Sequence, residues 1–356
     1  MCYGISIYVG LDNTLEENIL LLEEANKRGI RRVFTSLHIP EANYNRLKEE
    51  FSEILKTGKK YNMDIICDIS PNTFKFLGLK NLDLKAIKDM GIQTIRIDFG
   101  YDEREIAKLT HNEEKIKIQL NASTISEIFL ENLEKYKADF SFVDALHNFY
   151  PRRGTAISEE TLIRKNIILK KKGIRISAFV SSNNRRRSPL KEGLPTMEDH
   201  REMEVSLATR HLFALGIDSV FIGDSLPSIE ELNDLSSITL GVIEIKAKLR
   251  TNNNTTINLL NNVFTSRDDE ARDAIRAQES RIIIRDKIYK ENNFDREYGD
   301  ITVDNIDYQR YMGEVQIIKR PQKGDSRVNN VAKVIKEEEF LLKYIVEGKK
   351  FSFKFI

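Results

Sequence analysis

The chain has 356 residues, and its 56 Lys and Arg set against 55 Asp and Glu leave a net charge of +1. With 40% hydrophobic and 31% charged residues it reads as an ordinary globular protein with a core large enough for one or two domains. That composition excludes a disulfide-stapled miniprotein and gives no global field to draw the chain onto nucleic acid. Its two cysteines, Cys2 and Cys67, are too few for a disulfide framework or a four-ligand zinc site and fit a reducing compartment. The opening MCYGISIYVG has neither the basic region nor the apolar run of a signal peptide, and no later stretch is long enough to span a bilayer. A cytoplasmic location without membrane contact is therefore expected.

In chain order, eight short runs rich in Ile, Val and Phe predict strands: YGISIYV from Tyr3, RVFTSL from Arg32, DIICDI from Asp64, TIRIDF from Thr94, KIQLNA from Lys117, FSFVDA from Phe140, IRISAFV from Ile174 and SVFIGD from Ser219. Stretches of helical period separate them, as in successive βα units, and eight such units are the count of a (β/α)8 TIM barrel, an α/β fold. Gly29, Gly91 and Gly216 punctuate the ends of helices, and Asp12, Thr14 and Ser158 stand where N-caps are expected. Near Leu240 the pattern changes to the alternating IEIKAKLR, and beyond the polar TNNNTTINLLNN the segments SRIIIRD, DITVDN, GEVQIIK and FSFKFI read as short strands. This predicts a barrel over residues 1–237 and a smaller β-rich domain over 238–356.

A (β/α)8 barrel builds its active site at the C-terminal ends of its strands, so polar residues there carry the most functional weight. The second run leads to His38 and Glu41, the third to Asp68, the fourth to Asp98 and the fifth to Asn121. The sixth leads to Asp144, His147, Asn148, Tyr150 and Arg152, the seventh to Arg185, Arg186 and Arg187, and the eighth to Asp224. Ser70, Asn72, Ser123 and Asp224 are better suited to capping the helices that follow. Asp98 and Asp144 each end an otherwise apolar strand, where an ionised carboxylate is costly without a partner or a purpose, and both are candidate catalytic groups.

Glycosidic cleavage needs two carboxylates, one to protonate the leaving oxygen and one to attack the anomeric carbon or activate water. Glu41, Asp68, Asp98 and Asp144 all qualify by position. No His-x-x-x-His or Glu-x-x-His spacing accompanies His38 or His147, so neither a metal site nor a cofactor is predicted, and both read as hydrogen-bonding groups for a polyol. Tyr150, with Phe149, offers an apolar face for a sugar ring. At least one arginine of the Arg185–Arg187 triplet is expected to bind an anion, because barrel enzymes commonly hold phosphate on the loops after strands seven and eight; Arg152 is a second candidate.

The strings FTSLHIPE, CDIS, RIDFG, LNAST, HNFYPR, GLPTMEDHR, FIGD and GDITVDNIDYQRYMGEVQI follow one another along nearly the whole chain, and in that order they resemble the bacterial 6-phospho-N-acetylmuramidase family. The resemblance implies a TIM barrel followed by a cyclophilin-like β-barrel domain. It also implies cytoplasmic hydrolysis of the β-1,4 bond between N-acetylmuramic acid 6-phosphate and N-acetylglucosamine, a phosphorylated disaccharide of peptidoglycan recycling. The family's rim motifs fall on His38, Glu41, Asp68, Asp98, Asn121, Asp144, His147, Asn148, Arg152, Arg187 and Asp224. Ala156 follows Thr155 where the family usually has glycine. On this reading Asp98 and Asp144 divide the roles of nucleophile and general acid/base, while Arg187 and Arg152 hold the phosphate. The order of the two carboxylate roles and a mechanism assisted by the substrate's own acetamido oxygen stay open. A metal-dependent phosphosugar epimerase or aldolase, a non-catalytic binding module and the oligomeric state stay open as well.

Overall fold

Eight parallel strands close on themselves in the order of the chain: β1 (Cys2–Ile7), β2 (Arg32–Ser36), β3 (Asp64–Ile69), β4 (Ile92–Ile97), β5 (Lys117–Asn121), β6 (Val143–Leu146), β7 (Arg175–Val180) and β8 (Ser219–Ile222), with β8 pairing back onto β1. The computed structural model describes residues 2–36, 44–69, 82–97 and 100–356. Parallel neighbours need a crossover, and the described helices supply it: α1 (Leu15–Lys27), α2 (Tyr44–Lys60), α3 (Leu84–Asp89), α4 (Glu103–Leu109), α5 (Glu127–Lys135), α6 (Glu159–Lys170), α7 (Val205–Ala214) and α8 (Ile229–Ser237). By contacts the chain divides into two units, Met1–Ser237 and Ile238–Ile356.

Local chemistry sets the helix ends. Thr14 caps α1 in a reciprocal box with Glu17, and the Ser158 hydroxyl accepts from the Thr161 amide at the start of α6. Asp12 does not cap; its carboxylate accepts from the Ser188 amide and the Ser225 hydroxyl, tying together the loops after β1, β7 and β8. Gly29, Gly91 and Gly216 take φ of 72°, 99° and 82° just past three helices, the left-handed step that lets the chain turn into the next strand.

The second unit is one mixed sheet of seven strands in the order β10-β15-β9-β14-β12-β13-β11. Its strands are β9 (Val242–Leu249), β10 (Phe264–Thr265), β11 (Ala274–Arg276), β12 (Asp300–Asp304), β13 (Val315–Ile318), β14 (Val328–Val334) and β15 (Lys350–Phe355), with the short helices α9 (Asn254–Leu260) and α10 (Ser280–Ile283). A single bridge between Ser266 and Ala277 joins the two ends, so the sheet curls into a half-barrel. Of the four tail segments read as strands, DITVDN, GEVQIIK and FSFKFI are β12, β13 and β15, whereas SRIIIRD begins with the helical turn α10. There the Ser280 hydroxyl bonds back to the Ala277 carbonyl and Ile282 is 84% exposed, so the run of isoleucines packs into no ladder.

Candidate active site

The inside of the barrel is built in levels, because alternate residues of each strand point inward. At the N-terminal end lies an ionic network centred on Arg32, the first residue of β2. Its guanidinium donates to Asp64 at 2.9 Å and to Asp144 at 2.7 Å, and also to the Ser177 and Ser219 hydroxyls at 3.2 and 3.4 Å. Gln119 donates to the other Asp144 oxygen and Thr94 to the other Asp64 oxygen. Burial works against the Arg32 charge, yet the Asp144 and Asp64 carboxylates outweigh it and raise its pKa further above an already high value.

This network corrects the reading of Asp144 as a rim carboxylate. Phe140–Phe142 form a 3-10 turn, so β6 starts only at Val143 and Asp144 is its second residue, at the closed end of the barrel. Both of its oxygens are occupied by Arg32 and Gln119. Nothing is left to attack or protonate a sugar.

Aromatic rings fill the next level. Phe179 packs edge-on against Phe34 and Phe149, each with centroids 5.2 Å apart, and tilted against Phe221 at 5.8 Å. Phe149 also meets Tyr8 and Phe34 edge-on. This plug separates the ionic network from a second polar level at the open, C-terminal end.

There Arg96 of β4, buried to 2% exposure, reaches Asp68 of β3 at 3.5 Å and donates to the Asn148 side-chain oxygen at 2.5 Å. Asp68 and Asn148, both expected on the rim, are thus joined by an arginine that sequence reasoning passed over. The signal was present: Thr94 and Arg96 alternate with Ile95 and Ile97 along β4, which makes Arg96 the one charge of that strand and places it on the inward face. The Asn148 amide donates to the Ser123 hydroxyl oxygen, and Ser123 lies 3.1 Å from His147 Nδ1. The other ring nitrogen of His147 is 3.0 Å from the Asn166 side-chain oxygen on α6.

Asn166 Oδ1 only accepts, so His147 carries its proton on Nε2 and accepts from Ser123 on Nδ1. Burial, opposed only by the Asn166 hydrogen bond, lowers its pKa to about 4. His147 is fully buried, which corrects its assignment to substrate binding: it faces helix α6 and fixes Asn148 through Ser123.

The loop after β7 distinguishes its three arginines. Arg185 is paired with Glu17 at 2.8 Å and Arg186 with Glu202 at 2.7 Å. Arg187 has no carboxylate partner among the described residues. Its guanidinium lies 4.9 Å from the ring centroids of both Tyr8 and Phe149, and its Nε is buried without a hydrogen-bond partner. Lying over two rings that meet edge-on, it is held in place by contacts that use none of its N–H donors in an ion pair.

Asp224, read from sequence as suited to capping and, by the resemblance, as a substrate-binding rim residue, is fully buried and accepts from the backbone amides of Ser182, Arg187 and Leu194. Burial raises its pKa despite those three donors. Its work is to shape the loop that presents Arg187.

Arg152 is exposed after β6, while its neighbour Arg153 is paired with Glu202. The backbone around Arg152 is fixed by Arg201, whose buried guanidinium donates to the carbonyls of Tyr150, Arg152, Glu192 and Gly193 and so ties the loop after β6 to the loop after β7. Glu198 completes the clamp. It pairs with Arg201 at 2.6 Å and accepts from the Gly154 and Ala156 amides, and with Arg201 as the main cause its pKa drops to about 2. Arg201 and Glu198 were not singled out from sequence, because their partners are carbonyls and amides that carry no signature there. The Tyr150 side chain is half-buried, and Phe149 is the ring that lines the arginine. Asn121 lines a pocket between β4, β5, α4 and α5. His38, Glu41 and Asp98, like Ser70 and Asn72, lie outside the described residues.

Among the described residues no three His, Cys, Asp or Glu side chains gather as a metal ligand set, and no helix is long and apolar enough to cross a membrane.

Comparison with known proteins places these features in a family. Residues 3–237 match the family described as 6-phospho-N-acetylmuramidase, N-terminal, and residues 242–354 match its C-terminal counterpart. The chain is similar to an uncharacterized B. cereus protein of known crystal structure, at 31% identity over 99% of both chains with a TM-score of 0.86. It is also similar to a conserved Enterococcus faecalis protein of unknown function, at 30% identity over 100% of this chain and 96% of that one with a TM-score of 0.72. No curated protein matches the chain.

Proposed function

Because the chain belongs to the 6-phospho-N-acetylmuramidase family, a family of glycoside hydrolases, we propose that it hydrolyses the β-1,4 bond between N-acetylmuramic acid 6-phosphate and N-acetylglucosamine, serving cell-wall recycling in the cytoplasm. The observation that carries this reading is Arg187, the one member of its triplet left without a carboxylate among the described residues and lying over two rings at the open end of the barrel. A guanidinium so held suits a phosphate, since its fork of donors matches the oxygens and its orientation is fixed before the ligand arrives. Arg152, exposed on the neighbouring loop, is the second phosphate ligand in this proposal.

Cleavage then needs two carboxyl groups beside the glycosidic bond. Asp68 is one: it sits at the C-terminal end of β3 beside Arg96, and a neighbouring positive charge suits it to holding negative charge as nucleophile or as stabiliser of the oxocarbenium-like transition state rather than to delivering a proton. Asp98, next in chain to Ile97 at the end of β4 and read from sequence as one of the catalytic carboxylates with its role open, takes the role of acid/base in this proposal. Arg96 holds both Asp68 and Asn148, and Asn148 offers its side-chain amide to the sugar. His147, Ser123, Arg201 and Asp224 act one step back, by positioning these groups.

The test is hydrolysis of the disaccharide with and without its 6-phosphate. The wild type should favour the phosphorylated form by roughly ten- to a hundred-fold in kcat/KM, the worth of charge-assisted hydrogen bonds, and Arg187→Met should remove most of that preference while leaving activity on the unphosphorylated sugar near its wild-type level. A wild type that cleaves neither sugar, or both equally well, refutes the proposal.

A further inference from the structure

We infer that Asp12 is a positioning residue that sharpens the preference for a phosphorylated sugar by holding the turn that carries Arg187, an inference that rests on the function proposed above. The Tyr8 and Phe149 rings fix only the guanidinium end of Arg187. Its backbone end is fixed by two carboxylates on consecutive amides: Asp224 accepts from the Arg187 N–H at 3.0 Å, and Asp12 from the Ser188 N–H at 2.9 Å. The Arg187 carbonyl accepts from the Lys191 amide, which closes the turn. Asp12 is itself aimed by the Ser225 hydroxyl, which donates to the same Oδ2 at 2.7 Å, and its neighbour Asn13 donates to the Ser225 carbonyl at 2.6 Å. Tyr8 follows β1 directly, and its hydroxyl donates to the Gly223 carbonyl at 2.6 Å. One short loop, anchored on the chain just after β8, thus supplies both a ring for the guanidinium and an acceptor for the next backbone amide.

The two carboxylates do different work. Asp224 is fully buried and also accepts from the Ser182 and Leu194 amides, so it builds the loop as a whole. Asp12 is partly exposed and holds one backbone amide of the turn, so its loss frees the turn and lets water take the amide. A carboxylate beside an anion-binding turn repels the ligand, and what Asp12 gives in return is order. An arginine held at both ends has lost its rotamer freedom before the phosphate arrives, whereas a freed one bears that ordering cost on binding. The acceptor oxygen matters here rather than the charge. Asparagine keeps such an oxygen for Ser188, and alanine keeps none.

Kinetics of the full-length chain on the disaccharide with and without its 6-phosphate test the inference. Asp12→Ala should lower the phosphorylated-to-unphosphorylated ratio of kcat/KM by about five- to ten-fold, the worth of ordering one long side chain, and the loss should fall on KM for the phosphorylated sugar. Asp12→Asn should keep the wild-type ratio. Added to Arg187→Met, Asp12→Ala should change the ratio no further, because a turn without its guanidinium has nothing left to position. If Asp12→Ala does not fold, Ser225→Ala, which removes the hydroxyl that aims Asp12, decides by a shift of the same sign of about two- to three-fold, the worth of one hydrogen bond. An unchanged ratio, an Asp12→Asn variant as poor as Asp12→Ala, or the same loss with and without Arg187 overturns the inference and leaves the proposed function standing. A wild type with no preference for the phosphorylated sugar sinks the function, and the inference with it.

Discussion

The two ends of the barrel both carry arginine and aspartate, and they use them in opposite ways. At the closed end Arg32 spends its donors on Asp64, Asp144, Ser177 and Ser219, and the remaining carboxylate oxygens are taken by Thr94 and Gln119. At the open end the Arg187 guanidinium lies over two rings, and among the described residues neither it nor Arg152 has a carboxylate partner. A charge saturated by its neighbours stabilises one arrangement of strands; a charge held still but left unsaturated is available to a ligand. Residue type is the same at both ends, and the surroundings decide the role.

Three measurements probe that contrast. The largest expected effect is on Asp68. Asp68→Asn should lower kcat by about 10²–10⁴-fold, the usual worth of a carboxylate taking part in the chemistry, read at a temperature where the variant is folded, because the buried Arg96 loses a carboxylate partner as well. Asp144→Asn should cost stability alone. Removing one partner from a buried ion pair costs about 3–5 kcal/mol, read as a lower midpoint in urea unfolding, while kcat at a temperature where the variant is folded stays within about two-fold of wild type. A large kcat loss in Asp144→Asn with unchanged stability erases the distinction between the two ends.

The smallest effect concerns the scaffold under the open end. His147 and His200 are both fully buried and neutral, with pKa values lowered from 6.5 to about 4 and about 3, chiefly by burial. The unfolded chain takes up a proton on each near pH 6.5, which the folded chain refuses. Their contribution to stability is therefore complete above pH 6.5 and is lost as the pH falls from there toward 4 and then 3, at up to about 1.4 kcal/mol per pH unit for each histidine. Unfolding free energies measured from pH 7.5 down to 5 should decline accordingly, and His147→Gln should flatten the slope by about half. An unchanged slope in that variant means His147 is not the titrating group.

Much of the fold was legible because each strand and each helix end has its own local signal. All eight apolar runs became barrel strands, and Thr14 and Ser158 cap the helices they precede. The site was legible only in outline. Asp144 was misplaced because the apolar FSF before it reads as strand, whereas the Asp139 side chain accepts from the Ser141 amide and starts a 3-10 turn there, which moves the onset of β6 and carries Asp144 from the top of the barrel to the bottom. The choice among Arg185, Arg186 and Arg187 depends on Glu17 and Glu202, one of them 168 residues away, and no local pattern encodes such a partner. His147 looked like a rim ligand because it stands beside Asn148, but consecutive residues point to opposite sides and only one of the two faces the barrel mouth.

The Arg32 network also bears on how the cylinder finds its alignment. Arg32, Asp64 and Asp144 come from three different strands, and Ser177 and Ser219 from two more. A slip of one residue in β2 turns the guanidinium outward, toward the helices, and leaves both acids enclosed without a cation. Only the native offset gives both acids the one cation, so the buried salt bridge acts as a register pin that rejects misaligned closures as the sheet joins end to end.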